Sequence, residues 1–144
     1  MKRFRFNLQK VLDLRQYRED EAKIELGKAI GILTEIQNKI KQNASAKAQA
    51  GRERFSGIAA AGAGAGSMFA WDGYILRLEQ ELERLLEEAA KAELVVEEKR
   101  GLYIEASRQL KVMEKLKEKR EGEYRREMLA AQARELDDMR RAVR

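Results

Sequence analysis

A seam of apolar positions, recurring in alternating steps of four and three residues, constrains this chain more than any other feature. It runs through Leu8, Leu12, Arg15, Glu19, Ala22, Leu26, Ala29, Leu33, Ile36, Ile40 and Asn43, and eight of these eleven positions are apolar. It resumes through Ile75, Leu78, Leu82, Leu85, Ala89, Ala92, Val96, Lys99, Tyr103, Ala106, Leu110 and Met113, where eleven of twelve are apolar. A mean step of 3.5 residues keeps one helix face turned toward a partner helix, which is the signature of a coiled coil. The 144 residues contain no proline, so no pyrrolidine ring interrupts a helix. Charged residues make up 38% and aromatics 6%, which suits a seam flanked by solvent better than a two-layer core. At 44% hydrophobic, the chain is still too apolar to be disordered.

One interruption divides the pattern. Gly57, Gly62, Gly64 and Gly66 stand among alanines, and residues 56–71 carry no charge. Each glycine costs a helix about 1 kcal/mol, so the chain is expected to reverse here, near residue 63. Charge supports the same reversal. Residues 39–55 hold five basic side chains and one acidic, while residues 72–88 hold six acidic and two basic. An antiparallel hairpin sets these opposite fields side by side, whereas a parallel homodimer would set like against like.

The expected fold is therefore all-α: a long two-helix antiparallel coiled-coil hairpin with a longer second helix. It is read as a single coiled-coil domain over 1–144, with helix one at about 7–55, a Gly/Ala-rich turn at about 56–71 and helix two at about 72–141. At 1.5 Å per residue the helices would be roughly 70 and 100 Å long, with helix two overhanging by several turns. The result would be a rod with the glycine-rich tip at one end and both termini at the other. Beyond Met113 the seam degrades, because Lys117 and Arg120 fall on it. A shifted apolar set (Leu129, Leu136, Met139, Val143) then implies that this segment faces something different.

Several function classes fall away. No histidine and no cysteine occur. That removes imidazole bases, Ser-His triads, histidine-ligated metals, thiolate nucleophiles and disulfides. The remaining titratable groups sit on solvated helix faces, so we expect no enzyme activity, cofactor or metal. Residues 1–6 are basic, but no apolar run of a secretory signal follows them. No stretch approaches the ~18 apolar residues of a membrane span, and a cytoplasmic protein is expected. Asn43-Ala44-Ser45 matches a glycosylation sequon by chance. The 62–67 stretch lacks the lysine and the preceding strand of a phosphate loop.

What remains is surface. Residues 2–18 carry Lys2, Arg3, Arg5, Lys10, Arg15 and Arg18 against Asp13 alone. Residues 109–126, which would face them, carry seven basic and four acidic side chains. Such a basic end suits an acidic protein partner. Nucleic acid is not expected, because Glu114, Glu118, Glu121, Glu123 and Glu127 interleave the cations and no recognition motif accompanies them. Phe4 and Phe6 either staple the helix start or anchor in a partner's pocket. At the tip, Phe55, Phe69, Trp71 and Tyr74 are too many aromatics for two helices to bury at one level, so some should stay exposed as a docking patch. Gly27, Gly31 and Gly101 fall on the outer face by heptad phase.

The order of these features resembles the FliJ family of flagellar export proteins, stalk components of the bacterial flagellar type III export ATPase complex. Phe4-Arg5-Phe6-Asn7-Leu8-Gln9-Lys10-Val11-Leu12 is similar to that family's F-x-F-x-L-x-x-V-L opening. Tyr74-Ile75-Leu76-Arg77-Leu78-Glu79 resembles the start of its second helix. Met113-Glu114-Lys115-Leu116-Lys117-Glu118-Lys119-Arg120 resembles its E-K-L-K-x-x-R stretch, followed by Tyr124 and by Leu136-Asp137. The alanine-glycine tip departs from the family's polar turn.

The resemblance implies a non-enzymatic stalk and adaptor. It would insert its basic terminal end into the flagellar export ATPase ring, promote ring assembly, contact a membrane export-gate protein and escort export chaperones. It implies ATPase contact at Lys2, Arg3, Phe4, Arg5, Phe6, Leu8, Lys10, Lys115, Lys117, Lys119 and Arg120. Gate contact would fall to Phe69, Trp71, Tyr74, Ile75 and Leu78. Location would be cytoplasmic, peripheral to the inner membrane at the flagellar base through these partners. The alternative is a general coiled-coil export chaperone that binds export chaperones or substrates through the apolar tip and outer face.

Overall fold

The computed structural model describes residues 3–61 and 65–143, with the backbone alone at 58–61 and 65–67. Two helices make up nearly all of it: α1, Gln9–Ala61, and α2, Ala65–Val143. They pack against each other, and no strand occurs among the described residues. The all-α two-helix hairpin is the observed fold. The chain divides into two compact units, a split one made of Met1–Lys23 with Leu102–Arg144 and a continuous one made of Ile24–Gly101.

The heptad seam decides which residues leave solvent. All eleven positions of the first run and all twelve of the second are buried or half-buried, and between residues 10 and 45 every other residue of α1 is exposed. Ala29, Asn43, Leu85, Ala89, Val96 and Leu110 are the most enclosed of the seam set. The seam also continues further than side-chain type suggests. Lys117, Arg120 and Tyr124 keep the four-three step and are half-buried. Long cationic side chains lay their methylene stems along apolar neighbours while the charge stays wet, so they occupy a seam without breaking it.

Polar seam residues are partnered across the helices. In the split unit the Arg15 guanidinium donates to the Gln109 side-chain carbonyl, and the Ser107 hydroxyl donates to Glu19 at 3.1 Å. In the continuous unit the Asn43 amide donates to the Leu78 backbone carbonyl at 2.9 Å, while its Oδ1 is buried without a partner. That burial closes the Asn43 sequon to modification. Lys47 pairs with Glu79 at 3.1 Å, and Arg54 Nε lies 2.8 Å from Asp72 as an ion-pair contact rather than an aligned hydrogen bond. In the split unit Arg15 and Glu19 meet Gln109 and Ser107, and in the continuous unit Asn43 and Arg54 meet Leu78 and Asp72, so within each unit the helices run antiparallel. The two ion pairs are the charge matching expected between 39–55 and 72–88. Partly exposed, each contributes only about 0.2–1 kcal/mol, so they select orientation more than they add stability.

Both helices run further into the glycine-alanine segment than expected. α1 ends at Ala61 rather than near 55, and α2 begins at Ala65 rather than near 72. Alanine is the best helix former, and Ala59, Ala60 and Ala61 offset the local cost of Gly57. The expected reversal at Gly62, Ala63 and Gly64 lies outside the described residues.

Candidate protein-docking surfaces

In the split unit, residues 3–6 form an arm without regular structure that turns at 7–8 into α1. The Gln9 N–H donates to the Phe6 carbonyl at 3.1 Å and the Leu12 N–H to the Leu8 carbonyl at 3.0 Å, which starts the helix. Phe6 is only 7% exposed, and the Arg120 guanidinium stands 5.9 Å from its ring centroid. Arg120 also donates to the Asn7 side-chain carbonyl at 2.6 Å. One residue of α2 thus holds both the ring and the turn of the arm, combining a cation–π contact with a hydrogen bond. Phe4 adds a second attachment, its ring 5.6 Å from that of Tyr124.

The pinned arm shapes a cleft of about 820 Å³ lined by Arg3, Phe4, Arg5, Arg120, Glu123, Tyr124 and Glu127. Of the residues that the family resemblance pointed to, Arg3, Phe4, Arg5 and Arg120 come together there. Lys10, Lys115 and Lys119 are exposed on the helices, and Lys117 is half-buried in the seam. Phe6 and Leu8 turn inward, so they hold the arm rather than present a surface. Lys2 lies outside the described residues. Asn7, Glu123, Tyr124 and Glu127 belong to the same neighbourhood. Tyr124 was named in the sequence only through the family resemblance, although it stands one seam step after Arg120, whereas Asn7 gave no signal.

The continuous unit carries the aromatic cluster. Phe55 and Phe69 are each 75% exposed, Tyr74 is partly exposed and Trp71 is half-buried. Trp71 and Tyr74 meet edge to face, with centroids 6.2 Å apart. They border a groove with Ala46, Gln49, Ala50 and Glu53, where the small side chains of Ala46 and Ala50 leave room on α1. Ile75 and Leu78 point into the seam, and Leu78 also supplies the carbonyl that receives Asn43. The surface part of the gate-type set is therefore Phe69, Trp71 and Tyr74. Leu76, 53% exposed, adds to it and was missed because it lies off the seam. Gly27, Gly31 and Gly101 are open, with nothing within 4 Å of an added Cβ.

The perturbed side chains sit on exposed faces. Glu81 is held below the ordinary carboxylate range by a hydrogen bond from Arg84, which gains a raised pKa in return. The Tyr17 phenol is raised by its hydrogen bond to Glu21. Each pair lies three or four residues apart on one helix, the spacing of surface stabilisation. No helix is long and apolar enough to cross a membrane among the described residues.

A family model described as "FliJ: Flagellar FliJ protein" matches residues 4–144. The chain belongs to the FliJ family. Membership gives it a role in flagellar protein export. The match begins at Phe4, the first aromatic of the pinned arm, and takes in both helices. No curated protein and no solved structure matches it.

Proposed function

We propose that this protein is a non-enzymatic stalk and adaptor of the flagellar type III export apparatus. Its split unit binds the export ATPase ring and promotes ring assembly, and a separate surface couples it to the membrane export gate. The observation that carries this reading is the arm fixed by Phe6–Arg120 and Phe4–Tyr124. It presents Arg3 and Arg5 together, and the same unit exposes Lys10, Lys115 and Lys119. A preorganised cationic surface loses little entropy on meeting an acidic partner and draws it in by long-range attraction. The gate contact falls on Phe69, Trp71 and Tyr74, where the exposed Phe69 and the partly exposed Tyr74 beside the half-buried Trp71 suit a pocket on a partner. Through these partners the protein sits at the cytoplasmic side of the inner membrane at the flagellar base.

The test is direct binding to the purified export ATPase. The variant R3E/R5E/K119E is expected to keep its helicity and lose ring binding and ATPase stimulation. Wild-type affinity after those reversals contradicts the proposal. A second reading, a general escort for export chaperones or substrates, is favoured by the exposure of Phe55 and Phe69. F55A/F69A losing chaperone binding while ATPase stimulation stays normal supports that role.

A further inference from the structure

Within the split unit, α2 changes face. Continued in step from Tyr124, the hairpin seam would pass through Glu127, Ala131, Arg134, Asp138 and Arg141, which offers almost nothing to bury. The apolar residues stand elsewhere, at Leu129, Leu136, Met139 and Val143. At 100° per residue this stripe is rotated about 140° from the hairpin seam. Its side chains are 66%, 58%, 63% and 89% exposed, and every residue from Leu129 to Val143 is exposed. Leu136, Met139, Arg140 and Val143 line a shallow groove along it. The arm lies beside Glu123 and Glu127, against the hairpin seam, so none of the described chain covers the stripe.

We infer that this stripe pairs with the same stripe of a second copy, in parallel and in register. The choice of occupant rests on charge. With Leu129, Gln132, Leu136, Met139 and Val143 on the new seam, Glu135 takes the flanking position before Leu136 and Arg140 the one after Met139. In a parallel pair these positions meet across the interface, so Glu135 faces Arg140 of the second copy, twice by symmetry. An antiparallel pair that faces Leu136 with Gln132 of the second copy sets Glu135 against Glu135 instead. Gln132 makes the same choice: in parallel register the two amides face each other and can hydrogen-bond, while that antiparallel register sets each against the apolar Leu136 of the second copy. Two heptads bury little area, so the dimer is weak and reversible.

Sedimentation equilibrium of the full chain over a wide concentration range tests this. A monomer–dimer equilibrium is expected. L136D/M139D should abolish it, with helicity checked by circular dichroism. E135R alone and R140E alone should each weaken the dimer roughly tenfold, since two attractive pairs become repulsive. The double variant E135R/R140E should restore it, and mixing the two single variants should give a heterodimer. A chain that stays monomeric throughout overturns the inference. So does self-association that ignores these charges, and so does loss of export-ATPase binding in L136D/M139D with self-association unchanged, which would assign the stripe to the ring.

Discussion

The split and continuous units are built on the same heptad seam but treat charge in opposite ways. In the continuous unit, cations on α1 meet anions on α2, as Lys47–Glu79 and Arg54–Asp72, and the fields cancel inside the hairpin. In the split unit the contacts across the helices are of another kind: Arg15 with Gln109, Glu19 with Ser107, Arg120 with Asn7 and Phe6, Phe4 with Tyr124. Among the described residues no ion pair crosses the helices there, and the ion pairs run along α2, as Arg108–Glu105 and Arg125–Glu121. One unit spends its charge on pairing. The other holds its helices together with neutral partners and keeps its cations for the outside.

The largest effect should come from the part that both units share. Leu85→Asp places a carboxylate at a 2% exposed seam position and should cost about 3–5 kcal/mol, while Leu86→Asp, next door but 52% exposed, should change stability by less than about 0.5 kcal/mol. Thermal melts followed by circular dichroism compare the two, and equal losses would break the seam description. Phe6→Ala tests the neutral attachments of the split unit. Removing this ring should cost roughly 3 kcal/mol locally and release the arm. Faster amide exchange at residues 9–12 and weaker ring binding, with the continuous unit unchanged, are the expected readouts.

Smaller effects sharpen the charge contrast. Lys47→Glu should destabilise the continuous unit by about 1 kcal/mol, and adding Glu79→Lys should recover most of it. No recovery would mean that the pair does not act across the helices. The smallest effect is the acid limb at Glu81. Its pKa is lowered from 4.5 by the Arg84 hydrogen bond. The corresponding stability is therefore present above the unfolded value and is lost as pH falls through the lower folded value. Arg84→Gln should flatten that part of the pH profile, and an unchanged acid limb would show that the pair is idle.

The seam was legible because burial in a two-helix fold follows position along the helix, and position can be counted. Arg15, Glu19 and Asn43 were placed on it by spacing alone and are indeed withdrawn from water. Lys117 and Arg120 show the limit of judging by residue type, since their stems let a charged residue hold a seam position. The glycines made the two helices look shorter than they are, because the neighbouring alanines carry each helix several residues further. Whether Phe4 and Phe6 were staples or free anchors could not be read from the sequence. The answer depends on Arg120 and Tyr124, more than a hundred residues away, arriving beside them. The groove formed by Ala46, Ala50, Trp71 and Tyr74 was hidden for the same reason.

The claim that the split unit reserves its charge for a partner is tested most directly by two variants of equal net charge. R3E/R5E/K119E reverses three cations of the split unit, and K41E/R77E/K91E reverses three exposed cations of the continuous unit. Titrated against the export ATPase ring under identical salt, the first should bind roughly a hundredfold more weakly than wild type and the second within about threefold of it. Equal losses in both would mean that the ring senses only total charge, and the division of labour between the two units would be wrong.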